Sequence, residues 1–202
     1  SALKVIGITG NIGSGKTRIA HLFYKNGCAV IELDKLGHHL LEQQPYKKKI
    51  LQTFGKYVFD DNNNIRRSKL RKIVFSNPDL LEKLNMMIHP ALIKELIRQL
   101  DLLKKKKNVK AIVVDAALLF EMKIEKLFDF IITVYTNKLL SYWRLWKRRK
   151  INFFEFLNIY SSQNDPKDKR QRSDMVIYNH LGWKFNRRKL EKIVKSILAS
   201  LK

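Results

Sequence analysis

A chain of 202 residues, 45% of them hydrophobic, can bury the core of a single domain, and no apolar run approaches the length of a membrane span. One cysteine excludes an internal disulfide and an all-cysteine metal site, and the first residues lack the pattern of a secretory signal, so a reducing cytoplasm is the expected setting. The formal net charge of +23 suits a nucleic-acid binder or an enzyme of polyanions; yet the lysines are spread along the chain without zinc-finger spacing or an RNA-binding aromatic signature, so a lysine-rich solvated surface explains them equally well.

The first predicted element is a strand, LKVIGIT at Leu3 to Thr9, apolar and rich in β-branched residues. It runs into Gly10 to Thr17, GNIGSGKT, which fits the phosphate-binding pattern G-x-x-x-x-G-K-[ST]. Ile19, Ala20, Leu22 and Phe23 follow at the spacing of a helix that starts near Ser14. Gly10, Gly13 and Gly15 let the backbone approach phosphate oxygens closely, and the loop N–H groups with the helix N-terminus form an anion nest. Lys16 is placed to reach the β- and γ-phosphates, and Thr17 to offer its hydroxyl to Mg2+. The chain is expected to bind a nucleoside triphosphate.

A short strand, Ala29 to Ile31, leads through VIELD to Asp34. At the carboxyl end of a strand in an open parallel sheet, Asp34 either faces the γ-phosphate as a base for an attacking hydroxyl or caps the next helix. Glu32 is the weaker candidate base. The next 75 or so residues read as helical and polar, too long for one crossover. Ile50, Leu51 and Phe54 form a turn stopped at Gly55, DDNNN at Asp60 to Asn64 is a turn cluster, and Pro78 opens a helix expected to end at His89-Pro90. A second helix is expected from Ala91 to the Lys104–Lys107 run. A helical insertion over about 45–107 therefore separates the second strand from the third, and the acceptor is expected to contact it.

AIVVD, Ala111 to Asp115, reads as the third strand, and its terminal acid has the form of a residue that helps hold Mg2+. FIITVY at Phe130 to Tyr135 is a fourth strand, followed by a helix from Leu139 to Arg149. Arg144 and Arg148 share a face there: they either clamp transferring phosphates or belong to a solvated basic helix with Trp143 and Trp146 packed inward. Phe153 to Gln163 reads as a helix and NDPKDKRQR as a mobile polar loop. Met175 to Tyr178 is a fifth strand, and Arg187 to Leu201 a closing amphipathic helix.

Taken together, ITGNIGSGKT, VIELD, Phe54-Gly55, IRRSKLRKIVFSNP, His89-Pro90, DAALLFE at Asp115 to Glu121, and SDMVIYN at Ser173 to Asn179 resemble the dephospho-CoA kinase family over nearly the whole chain. The resemblance implies an α/β P-loop kinase fold in three layers, a five-stranded parallel sheet flanked by helices, in one domain with a helical acceptor insertion and a lid over about 138–170. It implies ATP bound by Asn11 and by Gly13, Ser14, Gly15, Lys16, Thr17 and Arg18, with Mg2+ held by Thr17 and Asp115. It further implies Asp34 as the base for a ribose 3′-hydroxyl, Arg67, His89, Leu118 and Leu119 on the acceptor side, and Arg144 and Arg148 as lid arginines beside Gln163. The partners implied are ATP and dephospho-CoA, with no obligate nucleic acid, no membrane, and a monomer or weak homo-oligomer. Three positions depart from the family pattern: Glu32 where Asp is common, Arg18 where Thr or Ser is common, and Ala116-Ala117 without the usual proline. The other readings open at this point are a nucleoside monophosphate type of P-loop kinase and an ATP-dependent nucleic-acid-binding protein.

Overall fold

The computed structural model describes residues 3–149, 151–180 and 183–200, apart from the side chains of 149 and 183–185. Among them five strands form one sheet: β1 (Val5–Thr9), β2 (Ala29–Glu32), β3 (Ile112–Asp115), β4 (Phe130–Tyr135) and β5 (Met175–Tyr178). The spatial order is β2-β3-β1-β4-β5 and every pair is parallel, so each connection crosses over the sheet. Because β1 lies between β3 and β4, the chain leaves it on one side and later continues on the other. The crevice at the carboxyl end of β1 is the topological switch point at which such sheets bind ligands.

Alternation along the strands sorts the core into two layers. Ile6, Ile8, Val113, Ile132 and Val134 point to one face, where α1 (Lys16–Lys25) and α9 (Trp183–Ser200) cover them with Ile19, Phe23, Leu190 and Val194. Val5, Ile31, Ile112, Val114 and Ile131 point to the other, against α2 (Leu33–Leu41) and the long α5 (Pro78–Lys104). Each fully buried side chain such as Phe23 or Leu96 contributes about 1.5–3 kcal/mol of apolar burial. Cys28 lies in the first layer, and burial pushes its thiol up to about 11, the state of an inert core residue.

Two smaller cores lie away from the sheet. Between β2 and β3, helices α3 (Gln44–Phe54), α4 (Arg67–Ser76) and α5 enclose Ile50, Val58, Phe59, Ile65, Leu70 and Val74. Between β4 and β5, α6 (Lys138–Arg149) and α7 (Phe153–Ser161) enclose Leu145, Ile151, Phe156 and Ile159. Their starts are written locally: Asn77 Oδ1 accepts the Asp79 and Leu80 amides ahead of α5, and Asn152 Oδ1 accepts the Glu155 amide ahead of α7.

Several expectations are corrected. The helix break at His89-Pro90 is absent: α5 runs through it, its stripe of Ile88, Leu92, Leu96 and Leu100 unbroken. Pro90 withholds one hydrogen bond from the Met86 carbonyl, and Met86 is exposed, so water can supply it. The supposed loop NDPKDKRQR contains a helix, α8 (Pro166–Gln171), capped by Asp165 Oδ1 on the Lys167 amide. The expected helix from Phe153 ends at Ser161 instead of Gln163, where Ser161 and Ser162 hydroxyls donate to the Asn158 and Ile159 carbonyls. The last helix begins at Trp183, before the Arg187 expected, and Leu201 lies outside the described residues. Trp143 and Trp146 are exposed rather than packed inward, because the inward face of α6 is taken by Ser141, Leu145 and Arg144.

Candidate active site

The glycine loop joins β1 to α1 at the carboxyl end of the sheet, and neighbouring elements hold it rigidly. A side chain at Gly10 would begin 2.2 Å from the Val134 carbonyl oxygen, and one at Gly15, where φ is +99°, would begin 2.4 Å from Asn179 Nδ2. Those close approaches let surrounding residues tie down the loop carbonyls: Asn179 Nδ2 donates to Ser14 O at 2.7 Å. Arg144 donates to Asn179 O at 2.9 Å and, more loosely, to Gly13 O and Ser14 O at 3.4 Å. The Ile12 amide donates to Gln163 Oε1 at 2.8 Å, and Asn11 Nδ2 to Asn164 O at 3.3 Å. With these carbonyls engaged, the loop is pre-set for an anion.

Lys16 is only 9% exposed, and its Nζ donates to Asn11 O at 3.4 Å across the mouth of the loop. One turn on, Thr17 Oγ1 donates to Asp115 Oδ2 at 2.7 Å. Burial raises the Asp115 pKa, Lys16 and the Thr17 hydroxyl oppose that, and the charges of Asp34 and Glu32 add to it. The hydroxyl–carboxylate pair beside a loop lysine is a hard-oxygen donor set suited to Mg2+ with water completing the shell. No cluster of three or more His, Cys, Asp or Glu side chains that would hold a metal by itself exists among the described residues.

Asp34 occupies the first turn of α2, while Glu32 stands in the capping position without a side-chain cap bond, so Asp34 is not the helix cap. Glu32 is instead paired with Lys35 at 2.7 Å. Asp34 lines a cleft of about 180 Å3 together with Gly37, His38, Asn85, His89, Leu118 and Met122. Burial lowers the His89 pKa and the Glu121 carboxylate pulls it back upward. Leu119 is not in that cleft: it is fully buried beneath β1, where a side chain at Gly7 would begin 2.7 Å from its Cδ1. Arg67 is exposed at the first turn of α4 and also lies outside the lining.

Arg144 reaches the loop, and the charges of Arg18 and Arg148 act on it there. Burial first, then the Arg18 and Arg148 charges, lower the Arg144 pKa; burial and Arg148 do the same to Arg18. Such crowding of like charge is relieved when polyphosphate arrives between the arginines.

Sequence reasoning passed over the buried pair beneath the site. Lys169, fully buried in α8, donates to Glu121 Oε1 and to Ala117 O, both at 2.8 Å, and Glu121 Oε1 also accepts the Asn164 amide at 2.7 Å. Its only sequence signal was a lysine in a charged run that looked solvated.

Comparison with known proteins gives the family. The family model described as dephospho-CoA kinase matches residues 4–184. A dephospho-CoA kinase of Fusobacterium nucleatum is 35% identical over 97% of this chain and 100% of its own length. One from Bacillus licheniformis is 37% identical over 87% of each chain. The solved dephospho-CoA kinase from Campylobacter jejuni superposes with a TM-score of 0.70 at 25% identity, covering 98% of both chains. A shikimate kinase from Acinetobacter baumannii, at a TM-score of 0.54 and 15% identity, shares the fold alone. With the family model spanning most of its length and relatives matched almost end to end, this chain belongs to the dephospho-CoA kinase family.

Proposed function

We propose that this chain transfers the γ-phosphoryl group of ATP to the ribose 3′-hydroxyl of dephospho-CoA, giving CoA and ADP in the last step of coenzyme A synthesis. The observation that carries the reading, beside family membership, is that Asp34 lines a cleft at the carboxyl end of the sheet while its charge acts on Asp115, the partner of Thr17. Acceptor and donor sites therefore meet at one carboxylate.

In the transfer, the 3′-oxygen forms a bond to the γ-phosphorus as the bond from that phosphorus to the β,γ-bridging oxygen breaks. Asp34 accepts the hydroxyl proton and orients the oxygen for in-line attack. Lys16, the loop amides and the arginines Arg18, Arg144 and Arg148 balance charge on the transferring group. Thr17 and Asp115 would hold Mg2+, which would supply positive charge to offset that of the phosphates. The segment over about 138–170 acts as a lid whose two ends rest on the loop through Arg144 and Gln163, and its closure excludes water.

The length of the acceptor finds room in the insertion over about 45–107. A second cavity of about 430 Å3, lined by Val74, Phe75, Leu81, Asn158 and Ser162 among others, adjoins the Asp34 cleft, and Asn85 lines both. Such a groove suits a long, amide-bearing arm better than a mononucleotide. The cytoplasm, where ATP is abundant and the lone cysteine stays reduced, is the proposed setting.

The test is ADP release with Mg·ATP across dephospho-CoA, AMP, CMP, DNA, RNA and no acceptor. Turnover with dephospho-CoA alone, yielding CoA, is expected; turnover with a nucleoside monophosphate instead would overturn the acceptor assignment. Lys16→Ala is expected to lower turnover roughly 10²–10³-fold. Asp34→Asn should lower kcat about 10²–10⁴-fold with ATP affinity unchanged in calorimetry; near-normal turnover would refute its role as base.

A further inference from the structure

We propose that Lys169 is a positioning residue for the phosphate loop: its buried ammonium fixes Ala117 O and the Glu121 carboxylate, and through them holds Thr9 and Asn11 in place for nucleotide. The inference rests on the reading that the loop binds ATP and needs nothing of the acceptor.

Two chains of hydrogen bonds run from this ammonium to the loop. In the first, Lys169 Nζ donates to Ala117 O at 2.8 Å, and the same carbonyl accepts the hydroxyl of Thr9, the last residue of β1, at 3.3 Å. In the second, Nζ pairs with Glu121 Oε1 at 2.8 Å, and that oxygen accepts the Asn164 amide at 2.7 Å. Asn164 O in turn accepts Asn11 Nδ2 at 3.3 Å, while Gln163, next to it in sequence, accepts the Ile12 amide at 2.8 Å. Asn11 O carries the Lys16 ammonium at 3.4 Å, so the place of Asn11 sets where Lys16 rests before phosphate arrives. The anchor itself is held to the sheet, since the Thr133 hydroxyl on β4 donates to Lys169 O at 3.1 Å.

Stability alone does not account for the pair. Lys169 is fully buried, and Glu121 Oε2 is buried with no hydrogen-bond partner among the described residues. Taking two such charges out of water costs about as much as their attraction returns. Burial lowers the Lys169 pKa against the charge and hydrogen bond of Glu121, and the charge of Lys16 lowers it further, which puts the anchor within electrostatic range of the loop lysine. An apolar pair of the same size would fill the space but leave Ala117 O and the Glu121 side of the Asn164 amide without a fixed partner. What the charges add is direction.

The experiment is calorimetric titration of the full chain with a non-hydrolysable ATP analogue and Mg2+, for wild type, Lys169→Met, Asn11→Ala and the double variant. Urea unfolding alongside ensures that each is folded under the conditions used. Each single variant is expected to weaken nucleotide binding about tenfold, the scale of one charge-assisted hydrogen bond. The double variant is expected to stay near tenfold rather than the roughly 100-fold product, because Lys169 acts through the Asn164–Asn11 link. Nucleotide affinity of Lys169→Met within about twofold of wild type, or effects that multiply in the double variant, would each overturn the inference. Where Lys169→Met leaves Glu121 without its counter-charge and fails to fold, Glu121→Gln with Lys169→Met removes both charges and carries the same expectations. A wild type that binds no nucleotide overturns the reading of the loop and this inference with it. Failure of dephospho-CoA as acceptor overturns the proposed reaction alone, since the titration contains no acceptor and still decides the role of Lys169.

Discussion

Asp115 lies 92% out of solvent at the end of β3, where its neighbours of like charge, Glu32 and Asp34, disfavour ionisation and only Lys16 and the Thr17 hydroxyl support it. Without nucleotide this carboxylate costs stability, since burial and repulsion outweigh its one hydrogen bond. Asp115→Asn keeps an oxygen for the Thr17 hydroxyl and removes the charge. It is expected to raise the melting temperature of the nucleotide-free protein by about 2–4 °C, the equivalent of about 1 kcal/mol at this chain length. Turnover should fall at least ~100-fold, with the Mg2+ requirement shifted to higher concentration. A lower melting temperature, or retained activity at low Mg2+, would refute the role given to Asp115. Destabilisation held in a functional group is the usual relation between stability and activity.

Among the elements, α5 carries the clearest internal conflict. It places Asn85 and His89 on the cleft beside Asp34 and Leu92, Leu96 and Leu100 against the sheet, yet holds Pro90 in its interior. Pro90→Ala restores the missing N–H and is expected to stabilise the protein by about 1–3 kcal/mol, read as a higher urea midpoint with unchanged m. No gain would mean that the rigid proline ring, by restricting the unfolded chain, offsets the hydrogen bond it withholds. This helix also shows what was legible beforehand. The glycine loop with its strand and helix, β4 and β5 were readable because their signals are local: a fixed spacing, or a short apolar run between breakers. The His89-Pro90 break was misread because a local rule, proline as helix breaker, was outweighed by a stripe packed on the sheet. The alternative that packed Trp143 and Trp146 inward fails, since Arg144 claims the inner face of α6 through bonds to Gly13, Ser14 and Asn179. The joining of Glu121, Asn164 and Lys169 had no local signal at all, because its partners lie 43 and 48 positions apart along the chain. Of the candidate residues, Lys16, Thr17, Asp34, His89, Leu118, Asp115, Arg18, Arg144 and Arg148 fall around one crevice. Leu119 was drawn in by its place in LLFE and is core, and Arg67 stands outside the cleft lining.

For the molecule as a whole, the net charge of +23 is a long-range field rather than a site. It should draw polyanions of every kind, so DNA is expected to bind weakly, without sequence preference, and to dissociate steeply with added salt in a mobility-shift assay. ADP release with dephospho-CoA should not be stimulated by that DNA; stimulation would return the nucleic-acid reading to consideration. The sheet order carries a further consequence, one of timing. Gly10 to Thr17 leaves the ribosome well before Asn179, which pins Ser14 O, fills the space beside Gly15 and stands 165 positions after Ser14. β5 adds last, to the outer edge of β4. The nascent chain thus exposes its phosphate-binding segment before the residue that pins it has been made. The order of synthesis leaves the loop unpinned until β5 and Asn179 have followed it.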